Sequence, residues 1–211
     1  MNSTFSITPD LSISECSLEC LPSPLFRQTR EQILRNLSHS IQNSLELRLI
    51  LKDLVKDINH WLLCDRTLIY RLDTQQGGFV MCESHTPDYT SLLDWNIRLP
   101  LWGSSAVLKP AGFEAQVIPD LAQIQLDSDE RQILQLFNIK SQVLVPLLLR
   151  QNPWGLLILH QCCDVREWQS WEVEGLQDLA VAVSIAIQQS YLYHQLQWVT
   201  HHCLQSDLSS I

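Results

Sequence analysis

The chain has 211 residues, 14 Lys+Arg against 23 Asp+Glu, a formal net charge of −9 and a hydrophobic content of 45%. That length holds one domain with appendages or two small ones, with enough apolar material for a packed core. The acidic balance and the lack of any basic cluster exclude a general phosphate-binding surface, and so argue against nucleic acid as a partner. No apolar run approaches the about 20 residues of a membrane helix, residues 143–149 being the longest candidate and containing Pro146.

Residues 1–26 contain no Lys or Arg, so they do not read as a signal peptide, and a cytoplasmic location is expected. Six serines and three prolines up to Pro24 predict a flexible tail over 1–26. From Arg27 the pattern turns helical: Ile33, Leu37, Ile41 and Leu45 step by four, and Leu47, Ile50, Leu51, Leu54, Val55, Ile58 and Trp61 continue at helical spacing. Polar residues 42–44 predict a bend or a split into helices near 27–42 and 45–61. TLIYRL (67–72) and FVMCES (79–84) read as antiparallel strands joined through a Gly-Gly turn. Residues 92–112, with Pro100, Gly103, Pro110 and Gly112, read as a long covering loop.

DSDE (127–130) is a capping-box arrangement ahead of Ile133, Leu134 and Phe137, which predicts a short helix. QVLVPLLL (142–149) and GLLILHQ (155–161) are apolar runs expected to form a central strand pair. A long helix is expected from Trp168 to about Cys203, its apolar positions Leu192, Leu196, Val199 and Cys203 stepping 4, 3, 4 beyond the core-facing set. This element order predicts an α+β domain, an antiparallel sheet with helices packed on one face and its opening and closing helices side by side. Six of the seven tryptophans lie at Trp95 or later, so the main packed surfaces and any pocket are expected in the second half.

The segments CDRTLIYRLD (64–73), FNIKSQVLVPLLL (137–149), PWGLLILHQCCDVREWQSWE (153–172) and LAVAVSIAIQQSYLY (179–193) closely resemble the GAF domains of cyanobacterial phytochromes and cyanobacteriochromes. The resemblance runs from about Arg30 to Tyr193, and its most distinctive part is the WGLL, HQC, R-x-W and E of the third segment. It implies a GAF domain over 27–195, with 196–211 as helical overhang and tail. It also implies a linear tetrapyrrole pocket between the sheet and its covering loops. In those relatives a cysteine of the short helix forms a thioether to the bilin, a histidine follows it, and an Asp in an Asp-x-Cys-Phe motif of the preceding loop contacts the ring nitrogens. A thiolate is the common side chain nucleophilic enough to add to the bilin, and a carboxylate offsets the charge of its protonated form.

Carried over residue by residue, the attachment cysteine falls on Asp129 and the histidine on Glu130, while the loop motif falls on Leu99, Pro100, Leu101 and Trp102. Covalent bilin attachment is therefore expected to be lost. Tyr70 and His160 keep positions that face or flank the bilin in relatives. The pocket candidates are thus Tyr70, Leu99, Trp102, Asp129, Glu130 and His160. Asp129 and Glu130 read as helix-capping carboxylates or as a replacement counter-charge. Trp102 reads as an indole filling the pocket or as a loop anchor, and His160 as a buried strand histidine or a ligand contact.

The seven cysteines, odd in number and without a repeating frame, read as reduced thiols behaving as small hydrophobes. Cys162-Cys163, Cys16-x3-Cys20 and His201-His202-Cys203 lack the paired spacing of a zinc site, so no metal is expected. No G-x-S-x-G motif or Gly-rich phosphate loop occurs, and no enzymatic activity is expected. In the family the opening and closing helices form a parallel dimer bundle that passes signals to an output domain. Here the sequence leaves no room for such a domain. The expectation is a stand-alone, non-catalytic regulatory or assembly module without a cofactor. It would form a homodimer or bind a protein partner through Leu192, Leu196, Val199 and the N-terminal helix. The alternatives are a sensor holding a non-covalent bilin or another small ligand, and a redox sensor using Cys162 or Cys163.

Overall fold

The computed structural model describes residues 24–43, 46–73, 78–93, 114–126 and 128–208. Helix α1 (Pro24–Asn43) starts three residues before Arg27. Proline suits a first helical turn, and Phe26 packs on Trp171 with ring centroids 4.9 Å apart while its carbonyl accepts from Trp61 Nε1. Helix α2 (Leu47–Leu62) buries Ile50, Leu51, Leu54, Val55, Ile58, Trp61 and Leu62 at the predicted spacing.

Five antiparallel strands follow: β1 (Arg66–Arg71), β2 (Phe79–His85), β3 (Gln116–Ile118), β4 (Ser141–Leu149) and β5 (Asn152–Gln161), in the order β2-β1-β5-β4-β3. The β4–β5 hairpin is longer than the hydrophobic pattern suggests. Arg150 and Gln151 both adopt positive φ (51° and 64°), which makes a two-residue turn and lets the ladder run out to the Leu149–Asn152 pair. Between β3 and β4 lie a 3₁₀ turn (Leu121–Gln123) and helix α3 (Ser128–Leu136).

Helix α4 (Ser170–Leu208) closes the chain. It starts two residues after Trp168, whose indole Nε1 donates to Ser141 Oγ of β4 at 2.7 Å, and Glu172 accepts from the Gln169 amide at 2.8 Å to cap the first turn. Arg166 ties this corner to α2, donating to the carbonyls of Leu62 and Leu63, and it pairs with Glu172 at 2.7 Å.

The sheet separates two apolar clusters. Helices α1, α2 and α4 cover one face, where Ile69, Val143, Val145, Leu147, Leu157 and Leu159 meet Leu51, Val55, Ile58, Leu176, Leu179 and Val183. The α1 and α4 helices run side by side, joined by Arg30–Asp178 at 3.0 Å. On the opposite face α3 and the 3₁₀ turn lie over Leu68, Tyr70, Leu144, Leu156 and Ile158. Burial along α4 stops at Ser190, and residues 191–201 are all exposed. Among the described residues, no helix is long and apolar enough to cross a membrane.

Candidate functional site

Strand alternation builds the face opposite the three long helices. Arg66, Leu68 and Tyr70 of β1 stand beside His160, Ile158 and Leu156 of β5, and Gln142 and Leu144 of β4 stand beside His160 and Ile158. Leu92, Ile118, Leu121, Leu134, Phe137 and Ile139 pack over this surface. Most of the face is apolar, and one end is a fully buried polar cluster.

Arg66 organises that end. Its Nε pairs with Glu83 Oε1 at 2.9 Å, both side chains being at most 2% exposed. Its Nη2 donates to the Thr90 carbonyl at 2.8 Å, and its Nη1 lies 3.4 Å from His160 Nδ1 and 3.7 Å from Cys162 Sγ. Glu83 accepts in turn from the Ser91 hydroxyl and the Leu92 amide. Two charges removed from water are tolerable only when they face each other and further polar groups, as here. The pair thereby anchors the segment after β2 against the edge of the face. Burial, and secondarily the Arg66 guanidinium, hold the His160 pKa well below its ordinary value, so its imidazole is neutral at pH 7.

Tyr70, at the apolar end, is enclosed by two glycines. A Cβ on Gly155 would sit 2.5 Å from the Tyr70 carbonyl oxygen, and one on Gly78, at φ +125°, would sit 2.6 Å from its ring. Beyond the face, Asp65 accepts from the amides of Cys162 and Cys163 at 2.6 and 2.9 Å and closes the end of β5.

Of the predicted pocket residues, Tyr70 and His160 occupy this face together, both without solvent exposure. Asp129 and Glu130 fall in the first turn of α3, with side chains outside the described part. Leu99 and Trp102 also lie outside the described residues. Sequence reasoning passed over Arg66 and Glu83. The signal available was alternation, which puts Arg66 on the same side as Leu68 and Tyr70, where a charge needs a partner.

Burial raises the thiol pKa of Cys64 to about 11 and those of Cys82 and Cys162 to about 12, so these three stay protonated at neutral pH. That removes the reactive thiolate a redox role for Cys162 needs; Cys163 is exposed. Among the described residues no three His, Cys, Asp or Glu converge on a metal-sized site.

The sequence model of the GAF domain matches residues 46–187. The chain belongs to the GAF domain family. This GAF domain is 35% identical over 186 residues to the circadian input-output histidine kinase CikA of Thermosynechococcus vestitus (strain NIES-2133 / IAM M-273 / BP-1), covering 81% of this chain and 25% of CikA. The chain therefore spans about a quarter of the length of that relative. Among solved structures, it superposes with a TM-score of 0.69 and 27% identity on a phycocyanobilin-bound GAF domain from a cyanobacterial phytochrome, covering 78% of this chain and 97% of the other. The blue-light absorbing form of the Thermosynechococcus elongatus PixJ GAF domain gives a TM-score of 0.67 at 25% identity, with 77% and 96% covered. The five-stranded antiparallel sheet with its helices is the GAF fold, and its relatives are cyanobacterial signalling and light-sensing proteins.

Proposed function

We propose that this GAF domain is a non-catalytic module in cyanobacterial signalling that holds no covalently attached bilin and acts through protein–protein contacts of its closing helix. The observation that carries the reading is the composition of α3. Its sequence, SDERQILQL, contains no cysteine, and Asp129 stands at the position where the family resemblance puts the attachment thiol. The one described thiol at the buried polar end, Cys162, is a protonated neighbour of Arg66 and a poor nucleophile. The carboxylate there, Glu83, is committed to Arg66, Ser91 and Leu92 rather than left as a counter-charge for a protonated tetrapyrrole. A thioether-held, protonated bilin does not fit these described residues. For the contact role, the support is the run of exposed residues after Ser190 with Leu192, Leu196 and Val199 among them.

The test is purification from bilin-producing cells. The protein is expected to show no zinc-dependent fluorescence on a denaturing gel and no visible absorption after denaturation in acidic urea. A band that survives denaturation would overturn the reading. A second reading, a non-covalently held bilin, is favoured by Tyr70 and His160 sharing the face that relatives use. It predicts visible absorption in the native protein that is lost with the pigment on denaturation and gel filtration.

A further inference from the structure

Between α4 and β4 runs a groove of ≈ 390 Å³ whose walls are mostly apolar, with Pro146, Leu148, Ala180, Val181 and Ile185 among them. Val181 is 63% exposed and Ile185 53%. The polar side chains that line it, Gln177, Ser184 and Gln188 among them, are neutral except at one end. There the Arg150 guanidinium stands over the Tyr191 ring at 5.2 Å. Among the described residues lining the groove, Arg150 is the one that carries charge.

A further strand does not suit this place. Beyond the Gln116–Leu144 pair no described strand flanks β4 on this side, and the edge there is poor in donors. Pro146 has no amide hydrogen, and Leu148 gives its own to Ser184 Oγ at 2.9 Å. An occupant therefore binds through side chains laid in the groove, and Arg150 selects one that brings a carboxylate. Outside the described residues the chain has two long stretches, 1–23 and 94–113. The second carries Arg98 and Lys109 against Asp94 alone, whereas the first has Asp10, Glu15 and Glu19, no Lys or Arg, and Leu18 and Leu21 among its apolar residues.

The length of chain ahead of α1 matches as well. Phe26 packs on Trp171 with ring centroids 4.9 Å apart, so α1 begins beside the start of α4. Measured along α4 from Trp171, the groove begins at Gln177, about 9 Å on, and Arg150 lies over Tyr191, about 30 Å on. Glu19, five residues before Pro24, reaches at most about 18 Å and falls short. Glu15, nine residues before it, reaches about 32 Å, and the Glu and Arg side chains close the rest. We infer that residues 15–21 of this same chain occupy the α4/β4 groove, with Leu18 over its apolar floor and Glu15 paired with Arg150. The strap covers Val181 and Ile185 and ends where the exposed run of α4 begins. This contact forms with or without a partner on α4, and so does not depend on the function proposed above.

The test uses the full chain and the strap's own thiols. Alkylation of Cys16 and Cys20 by iodoacetamide is followed by peptide mass mapping, which separates them from the exposed Cys163. In the native protein both are expected to react at least about 10-fold more slowly than in urea. Arg150→Glu and Val181→Glu, at exposed positions, are each expected to speed the reaction about 3- to 10-fold with circular dichroism unchanged, one by setting a carboxylate against Glu15 and the other by charging the apolar floor. Glu15→Lys is expected to do the same, and combining it with Arg150→Glu to restore the slow rate. Arg35→Glu, an exposed charge on α1 away from the groove, is expected to change nothing. Thiols that react as fast as in urea, protection indifferent to Arg150→Glu, or a charge swap that restores nothing would each overturn the inference. Protection that is lost on dilution would place the segment on another copy of the chain and overturn it as well.

Discussion

Arg66→Met removes the cation from a carboxylate that is 2% exposed, together with the donors to Thr90 and His160. Breaking a buried pair from one side typically costs about 3–5 kcal/mol, since the remaining charge is left unpaired in a poorly polarisable interior. Glu83→Leu strands the guanidinium in the same way and also frees the Ser91 hydroxyl and the Leu92 amide. Each single variant is expected to lose about 3–5 kcal/mol, against a total stability of about 5–15 kcal/mol for an ordinary domain. The double variant removes both charges but still leaves the Thr90 carbonyl and the Leu92 amide without their partners, at about 1–2 kcal/mol each. It is expected to lose about 2–4 kcal/mol, well short of the about 6–10 kcal/mol that the singles would give if they added. Urea titrations of the four proteins, followed by the fluorescence of the seven tryptophans, give the coupling energy directly. Single losses below about 1 kcal/mol, or losses that simply add, would refute the account of the cluster as a desolvated pair anchoring the segment after β2.

The neutral state of His160 gives a signed pH dependence. Between its depressed native pKa and the ordinary value of 6.5 the unfolded chain binds a proton that the folded one does not, so stability falls as pH drops below about 6.5, by up to about 1.4 kcal/mol per unit. Above that value the group is neutral in both states and adds no slope. Urea titrations from pH 8 to 5 should show a shallower fall for His160→Gln than for the parent, and identical falls would contradict this. Gly155→Ala brings a methyl against backbone of β1 that cannot yield, so a loss of about 2 kcal/mol or more is expected, read as a lower urea midpoint. A midpoint within error of the parent would show that β1 and β5 can separate there.

Much of the fold was legible because it rests on periodicity. The apolar steps of α2 and the strand runs at 67–72 and 142–149 each reflect a face that had to be buried, and each is buried. Boundaries set by single interactions were harder to read. The start of α4 depends on the Glu172 cap and the Trp168–Ser141 bond, and the length of β5 depends on two non-glycine residues held in left-handed conformations. The site was legible only in part for the same reason. Tyr70 and His160 carry a recognisable local pattern, whereas the Arg66–Glu83 pair joins residues on neighbouring strands and has no linear signature beyond a charge at an inward-facing position.

The hydrogen bond from the Leu148 amide to Ser184 Oγ, 2.9 Å long, pins the far end of β4 to α4 six residues before burial ends. From Ser190 the helix continues to Leu208, about 27 Å further, and residues 191–201 are exposed, the Arg150 guanidinium of the β4–β5 turn lying over the Tyr191 ring at 5.2 Å. Mechanically this is a lever with its fulcrum at the strand end. A change in sheet geometry that tilted the helix by about 10° at Ser184 would sweep its tip sideways by about 6 Å, more than one helical turn. A displacement too small to notice at the buried face becomes, at the far end of α4, a difference that any surface packed there would have to follow.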